Sequence, residues 1–138
     1  MGDSESESEE ASSIVVVDPD PASRNASEDL EDDLERQIIA MDSIEFDIDV
    51  SEDIQEAGVY IISWDLGVRC GADLLEEVRR SPLLEGKTVL VASSQPTEGL
   101  VRSAIALGAD GVCMKPYDPE EIANRVERAE QRRGEKAA

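Results

Sequence analysis

Residues 59–63 read Val-Tyr-Ile-Ile-Ser, a short apolar run that ends in a hydroxyl side chain. Similar runs are Ile-Val-Val-Val at 14–17 and Val-Leu-Val-Ala at 89–92. Short, continuous, β-branched runs bounded by turn residues are typical of strands buried on both faces, as in parallel sheets covered by helices. The sequence therefore predicts that these three runs are the central strands of a parallel sheet.

Two further runs are predicted to complete the sheet. Residues 45–50 read Glu-Phe-Asp-Ile-Asp-Val, and this strict alternation favours a strand with one exposed face or an edge position. Residues 111–114 read Gly-Val-Cys-Met and form a fifth, shorter run. The chain is thus expected to contribute five strands.

Helical patterns lie between these runs. The first has apolar residues at three- and four-residue spacing, which are Ala26, Leu30, Leu34, Ile38 and Met41. Acidic residues lie on its other side. Shorter stripes occur at 74–78 and 100–105. The last helix has the clearest start, with Asp118 as N-cap and Pro119 in its first position.

Strands that alternate with helices predict a doubly wound α/β domain, with a five-stranded parallel sheet and helices on both faces. The segment 51–57 leaves room for only about two helical turns between the second and third strands. Residues 1–12 are almost entirely polar and acidic and are predicted to be a disordered tail. The domain itself is assigned to 13–133, followed by a C-terminal tail at 134–138.

The composition excludes several functional classes. A net charge of -20 repels nucleic acids and anionic membranes, so the expected partner is a protein. The acidity is also what a high-salt cytoplasm would favour, because salt screens self-repulsion. No run approaches the ~20 apolar residues of a membrane span and no signal peptide is visible, so a cytoplasmic location is expected. The chain has no histidine, and its two cysteines are expected to be reduced.

Polar residues follow the predicted strands at their carboxyl ends, where doubly wound sheets bind ligands. They are Asp18, Ser63, Asp65, Ser93, Ser94 and Lys115. Carboxylates and hydroxyls suit Mg²⁺, and a lysine suits a phosphate group. Taken singly, each of these residues is more simply interpreted as structural, because polar residues naturally end buried strands.

Four segments together resemble the receiver domain of response regulators, the CheY-like family. They are IVVVDPD at 14–20, VYIISWDLGVRCGADLL at 59–75, TVLVASS at 88–94 and ALGADGVCMKPY at 106–117. The Lys-Pro segment is the most specific of them. The resemblance covers essentially 13–130 in the right order, and it implies a flavodoxin-like sheet with strand order 2-1-3-4-5.

The resemblance also implies roles for individual residues. Ser93 matches the hydroxyl that binds the phosphoryl group, and Lys115 matches the lysine that pairs with it. The bond before Pro116 is expected to be cis, as it commonly is in the family. Asp18 matches the first of two metal-binding acids, whereas Pro19 takes the place of the second. The phosphoacceptor aspartate aligns with Ser63.

These departures affect the chemistry directly. Aspartyl phosphorylation needs a carboxylate nucleophile and a Mg²⁺ ion held by acids, and serine without a base is a poor nucleophile. Val112 replaces the family's aromatic switch residue, and Gly67 replaces its loop proline. The site is therefore interpreted as a degenerate phosphorylation pocket, with no catalytic residue and no required cofactor.

Two functions follow from the resemblance. The first is a stand-alone atypical receiver, or pseudo-receiver, that acts in two-component-type signal transduction by phosphorylation-independent protein–protein interaction. Its expected contact face comprises the helix near 100–105, the strand 111–114 and the last helix. The alternative is a working receiver in which Asp65, with Mg²⁺ held by Asp18 and Asp65, takes phosphate from a histidine kinase. An enzyme on this scaffold is not expected, because no nucleotide-binding glycine motif is present. Whether the chain forms a homodimer is left open.

Overall fold

The five-stranded sheet is the centre of the molecule, seen in a computed structural model that describes residues 12–66 and 69–137. Its strands are β1 (Ile14–Val17), β2 (Ile38–Met41), β3 (Val59–Ser63), β4 (Thr88–Ser93) and β5 (Gly111–Met114). All neighbouring pairs are parallel, and the order is β2-β1-β3-β4-β5. The predicted fold class and strand order are therefore confirmed.

Within the described residues, five helices lie between the strands and a sixth follows the last strand. They are α1 (Pro21–Glu28), α2 (Leu30–Leu34), α3 (Glu52–Glu56), α4 (Gly71–Arg80), α5 (Glu98–Ala106) and α6 (Pro119–Ala137). Short 3-10 turns occupy Ser43–Glu45 and Pro82–Leu84. After β3, Asp65–Leu66 pairs antiparallel with Arg69–Cys70 in a small ribbon before α4 begins.

Alternate residues of the strands supply two separate hydrophobic cores, one on each face of the sheet. On one face, Val15, Tyr60 and Val89 pack against side chains from α3, α4 and α5. On the other face, Val16 and Ile61 pack against side chains that include those of α2 and α6. This coverage on both faces explains why the central strands read as continuous apolar runs.

The position of β2 differs from the sequence prediction. The second strand is Ile38–Met41, which the helical spacing had assigned to the end of the first helix. The predicted alternating strand at 45–50 is instead a 3-10 turn followed by an irregular segment. The prediction was wrong for both segments.

Local burial explains this error. The first helical region ends at Glu35, which adopts a left-handed conformation with φ of 56°. Four consecutive apolar residues then pair with β1, with Ile14 opposite Ile38. Phe46 and Ile48 are buried in the core from an irregular segment, while Asp47 and Asp49 are exposed, so alternate burial produced a strand-like pattern without a strand.

The last helix begins as predicted and ends later. The carboxylate of Asp118 accepts a hydrogen bond from the backbone N–H of Glu121, which is the expected cap. The helix continues to Ala137, through residues that the sequence analysis placed in a C-terminal tail. Residues 1–11 of the predicted acidic tail at 1–12, and the loop residue Gly67, lie outside the described residues.

Asp110 anchors the beginning of β5 at the opposite end of the sheet from the predicted site. Its carboxylate accepts hydrogen bonds from Arg79 Nη2 at 2.9 Å, Arg133 Nε at 3.0 Å and the backbone N–H of Val89 at 2.9 Å. Arg132 also donates to its backbone carbonyl at 2.8 Å. These bonds tie α4, β4 and α6 to one carboxylate and so hold the edge strand in place.

Candidate functional site: a closed polar cluster at the carboxyl ends of the strands

The candidate site lies at the carboxyl ends of β1, β3 and β5. Asp18 follows β1, Ser63 is the last residue of β3, and Lys115 follows β5. Because parallel strands end at the same edge of a sheet, three residues that are distant in sequence meet there. The structure brings together these three of the predicted site residues.

Asp18 is the centre of this cluster and is fully buried. Its Oδ2 atom accepts hydrogen bonds from Lys115 Nζ and from the Tyr117 hydroxyl, each at 3.0 Å. Its Oδ1 atom accepts one from the backbone N–H of Asp20, also at 3.0 Å. Both carboxylate oxygens are therefore engaged by donors of the chain itself.

Lys115 joins Asp18 to Ser63. Its ammonium group lies 2.9 Å from Ser63 Oγ, and the peptide bond that precedes Pro116 is cis, as expected. Ser63 is fully buried, and its hydroxyl in turn donates to the backbone carbonyl of Asp65 at 3.3 Å. Lys115 donates hydrogen bonds to both residues, so its ammonium group is a counter-charge and a donor here rather than a base for this serine.

Tyr117 is the member of the cluster that sequence reasoning missed. It is the last residue of the ALGADGVCMKPY segment, where it was treated only as part of the motif. Its ring is buried, and burial together with the nearby Asp18 carboxylate raises the pKa of its hydroxyl above the ordinary value. The signal available in the sequence was a tyrosine, with a hydroxyl to donate, two residues after the site lysine.

The other predicted site residues are placed elsewhere. Asp65 is exposed, and the cluster contacts its backbone carbonyl. Ser93 is half-buried, and its hydroxyl accepts a hydrogen bond from the backbone N–H of Gln95 at 3.1 Å. Asp20, which was not among the predicted site residues, caps α1, and its hydrogen bond from the Ser23 hydroxyl lowers the pKa of its carboxyl. Ser94 is exposed and begins the loop that follows β4.

The donor set does not fit a Mg²⁺ ion. Magnesium in proteins is commonly held by one or two carboxylates with its waters, and here the single buried carboxylate, Asp18, already accepts three hydrogen bonds. Pro19, at the position of the second acid, has no side-chain oxygen. Within residues 12–66 and 69–137, no group of three or more His, Cys, Asp and Glu side chains is arranged to hold a metal.

Comparison with solved structures identifies the architecture. The chain is similar to a CheY-like response regulator receiver domain protein from Methanospirillum hungatei, with a TM-score of 0.75, 17% identity, and coverage of 91% of this chain and 98% of that chain. It is also similar to the chemotaxis response regulator CheY4 of Vibrio cholerae, with a TM-score of 0.74, 18% identity, and coverage of 86% and 98%. This chain has the receiver fold.

A third similar structure is the BeF3-activated DrrB receiver domain, with a TM-score of 0.71, 19% identity, and coverage of 88% of this chain and 98% of that chain. No protein-family model matches the sequence, and a search of curated proteins found no significant match. The receiver fold is thus shared at a sequence identity below 20% in all three comparisons. Among the described helices, none combines the length and apolar character needed to cross a bilayer.

Proposed function

We propose that this chain is an atypical receiver-fold module of two-component-type signalling that binds a partner protein without being phosphorylated. It is proposed to act as a binding protein rather than an enzyme. The observation that supports this proposal is the closed cluster of Asp18, Ser63, Lys115 and Tyr117. A hydroxyl occupies the position that the resemblance assigns to the acceptor, and the site lysine is already paired.

The electrostatics of the cluster support the same conclusion. A receiver that takes phosphate gathers carboxylates, which need a metal ion to neutralise the charge that develops during phosphoryl transfer. Here Lys115 lies 3.0 Å from the one buried carboxylate and balances its charge, and Tyr117 adds a further hydrogen bond. The buried carboxylate is thus already balanced in charge and hydrogen-bonded by side chains of the chain itself.

The alternative function is a working receiver with Asp65 as phosphoacceptor. It requires the exposed Asp65 to replace Ser63 beside Lys115, whereas the register places Ser63 opposite Ala92 at the end of β3. Trp64 N donates to the carbonyl of Ala92 at 2.9 Å, which continues the pairing by one residue. The alternative would require this end of β3 to rearrange.

The deciding experiment is incubation of the protein with acetyl phosphate or phosphoramidate and Mg²⁺, followed by intact mass measurement. We expect no added phosphate, and the same result for the variant Asp65→Asn. A receiver domain with its acceptor aspartate serves as the positive control for the reagents. A hydroxylamine-labile acyl phosphate on the wild type that is absent from Asp65→Asn would establish the alternative.

Trp64 provides a second, independent readout. It is the only tryptophan in the chain, it is half-buried, and it packs against the core beside Ser63. We expect its fluorescence to stay unchanged when Mg²⁺ and beryllofluoride are added. A saturable change in fluorescence that needs both components would show that the site binds a phosphoryl analogue.

A further inference from the structure

The strand β2 forms one edge of the sheet, on the side opposite β5. Its inner side pairs with β1, where the backbone N–H groups of Ile14 and Asp18 donate to the carbonyls of Gln37 and Met41 at 2.9 and 3.0 Å. Backbone groups alternate sides along a strand, so residues 38, 40 and 42 direct their N–H and C=O groups away from the sheet. We call this outer side of β2 the open edge.

Two glutamate side chains cover the ends of the open edge. The backbone N–H of Ile38 donates to Glu31 Oε1 at 3.2 Å, and that of Asp42 donates to Glu45 Oε1 at 2.8 Å. Between them lies Ala40, which is half-buried. Among residues 12–66 and 69–137, its N–H and C=O groups have no hydrogen-bond partner on that side. An unpaired strand edge of this kind is a template for an added strand.

Negative charge adjoins the amino end of the open edge. A hollow of about 590 Å³ lies there, and its carboxylates are Glu31, Asp32, Glu35 and Glu56. Its arginine, Arg36, is engaged by other groups, because it pairs with Glu130 at 3.1 Å and donates to the carbonyl of Ser12 at 2.7 Å. No ion pair joins the four carboxylates to any lysine or arginine side chain that the structure describes. Their charge is therefore available to a cation.

Exposed apolar side chains follow the carboxyl end of β2. Ile44, in the 3-10 turn that comes directly after the strand, is 70% exposed, and Val50 in the next segment is 75% exposed. Ile39 and Met41 of the strand itself are half-buried. Single exposed apolar residues are common on protein surfaces, but here they accompany unpaired backbone groups. The open edge thus offers backbone, apolar and acidic groups along one short stretch of chain.

We propose that the open edge binds an extended, basic segment of the partner protein as an added strand. The segment accepts a hydrogen bond from the N–H of Ala40 and donates one to its C=O. Lysine or arginine side chains of the segment enter the acidic hollow, and an apolar side chain contacts Ile44. In this mode of binding, backbone hydrogen bonds supply affinity and side chains supply specificity. The inference rests on the proposed function and names the chemistry of the partner.

Charge selects this occupant over a second copy of the chain. Two copies that paired through their open edges would bring Glu31 and Glu45 of both copies together, and like charges across paired strands are destabilising. Each copy also carries a net charge of -20. A basic segment replaces this repulsion with attraction, which acts within about 8 Å at physiological salt and so depends on the acids beside the edge.

The first test is selection of short random peptides displayed on phage, with the purified full chain as target at physiological salt. We expect enrichment of lysine and arginine around a centre of β-branched residues. The best peptide is then synthesised with a methyl group on each central backbone nitrogen in turn. Because backbone groups alternate sides, methylation should weaken binding at every second position by about tenfold or more, measured by fluorescence anisotropy.

Hydrogen exchange at Ala40 gives a direct readout of the open edge. In the free chain, we expect the Ala40 amide to exchange faster than the amides of Ile39 and Met41, which face β1. Addition of the selected peptide should slow exchange at Ala40 by about tenfold or more, because its N–H becomes hydrogen-bonded. Nuclear magnetic resonance of the full chain measures all three amides together.

Two matched charge reversals test the acidic hollow. Asp32→Lys should weaken binding of the basic peptide by about tenfold or more, because it places a like charge beside the peptide. Glu98→Lys makes the same charge change at a side chain that is 84% exposed on α5, and it should leave the affinity unchanged. Ala40→Pro removes the outward N–H at an edge position, where proline is tolerated, and should abolish binding. If Ala40→Pro does not fold, the methylation series and hydrogen exchange still decide.

Several results would overturn the inference. They are selection of no peptide or of peptides without basic enrichment, methylation effects that do not alternate, an Ala40 amide that is already protected in the free chain, and equal binding to the Asp32→Lys variant. Self-association that Ala40→Pro abolishes would assign the open edge to a second copy instead. The labelling assay is separate: a chain that accepts phosphate and still binds the basic peptide refutes the proposed function and leaves this inference standing.

Discussion

The ammonium group of Lys115 lies 3.0 Å from the carboxylate of Asp18, and the Asp18 side chain is completely buried. These two residues are separated by 97 positions in the sequence. A buried carboxylate without its counter-charge is strongly unfavourable, so this pair ties the end of β1 to the end of β5. The stability of the site therefore depends on an ion pair between two residues that follow different strands.

Removal of the lysine should destabilise the protein strongly. The variant Lys115→Met leaves Asp18 buried with only neutral donors, and we expect a loss of about 3–5 kcal/mol in the free energy of unfolding. This loss is measured by urea unfolding, with Trp64 fluorescence as the signal. The control is Lys87→Met, which removes hydrogen bonds to the carbonyls of Gln55 and Ala57 and should cost about 1–3 kcal/mol. A smaller loss for Lys115→Met than for Lys87→Met would contradict this prediction.

High pH should destabilise the protein through its two tyrosines. Burial raises the pKa of Tyr60 to about 12, and burial with the Asp18 carboxylate raises that of Tyr117 as well. Because the folded state favours the neutral phenols, their stabilising contribution is complete below the unfolded value of 10 and is lost as pH rises from there through about 12. Stability should therefore fall across this window.

Ultraviolet absorbance of tyrosinate checks this prediction directly. In the native protein, we expect no ionisation of either tyrosine at pH values where a free tyrosine is half ionised. The variant Tyr117→Phe leaves Tyr60 as the only tyrosine and assigns the remaining titration. Ionisation of a tyrosine at its ordinary pKa in the folded state would show that the ring is accessible to water.

Gly71 should not tolerate a side chain. A Cβ atom at this position would lie 2.6 Å from the carbonyl oxygen of Trp64 and 2.8 Å from that of Ser63, both of them backbone atoms. We expect Gly71→Ala to cost about 1–3 kcal/mol by overpacking against the end of β3. The matched control is Gly99→Ala, where no heavy atom lies within 4 Å, and which should be neutral or stabilising by up to about 1 kcal/mol. Equal effects of the two substitutions in urea unfolding would refute this assignment.

Added salt should stabilise the protein. With a net charge of -20, self-repulsion opposes the compact state, and screening by potassium chloride reduces it. We expect the midpoint of thermal unfolding to rise with salt concentration. The double variant Asp32→Asn/Asp33→Asn carries two fewer negative charges and should respond less. A midpoint that is independent of salt would count against the high-salt interpretation of the composition.

Most of the sheet could be predicted from the sequence because its central strands are buried on both faces. The runs at 14–17 and 59–63 coincide with β1 and β3, and the run at 89–92 lies within β4; the shorter run at 111–114 coincides with the edge strand β5. The second strand could not be placed in this way. Its apolar residues continue the helical spacing of the preceding segment, and the left-handed conformation of Glu35 that separates the two is uncommon for a residue other than glycine.

The candidate site likewise has features that could be predicted from the sequence and features that could not. The positions of Asp18, Ser63 and Lys115 follow from strand ends and from the resemblance, so their meeting at one edge of the sheet was predictable. The hydrogen bond from Tyr117 to Asp18 was not, because it depends on how the chain turns after Pro116. The half-buried Ser93 and the exposed Asp65 likewise depend on loop conformations that no spacing specifies.

The sequence by itself determined the doubly wound class, the order of most elements and the presence of a hydroxyl side chain, Ser63, at the end of the third strand, because burial and strand-end chemistry leave direct marks in residue type. Only the tertiary structure decided how the remaining polar groups pair. Hydrogen bonds between residues about 50 to 100 positions apart depend on the relative placement of strands and loops to within a few tenths of an ångström, and residue type alone does not contain that information.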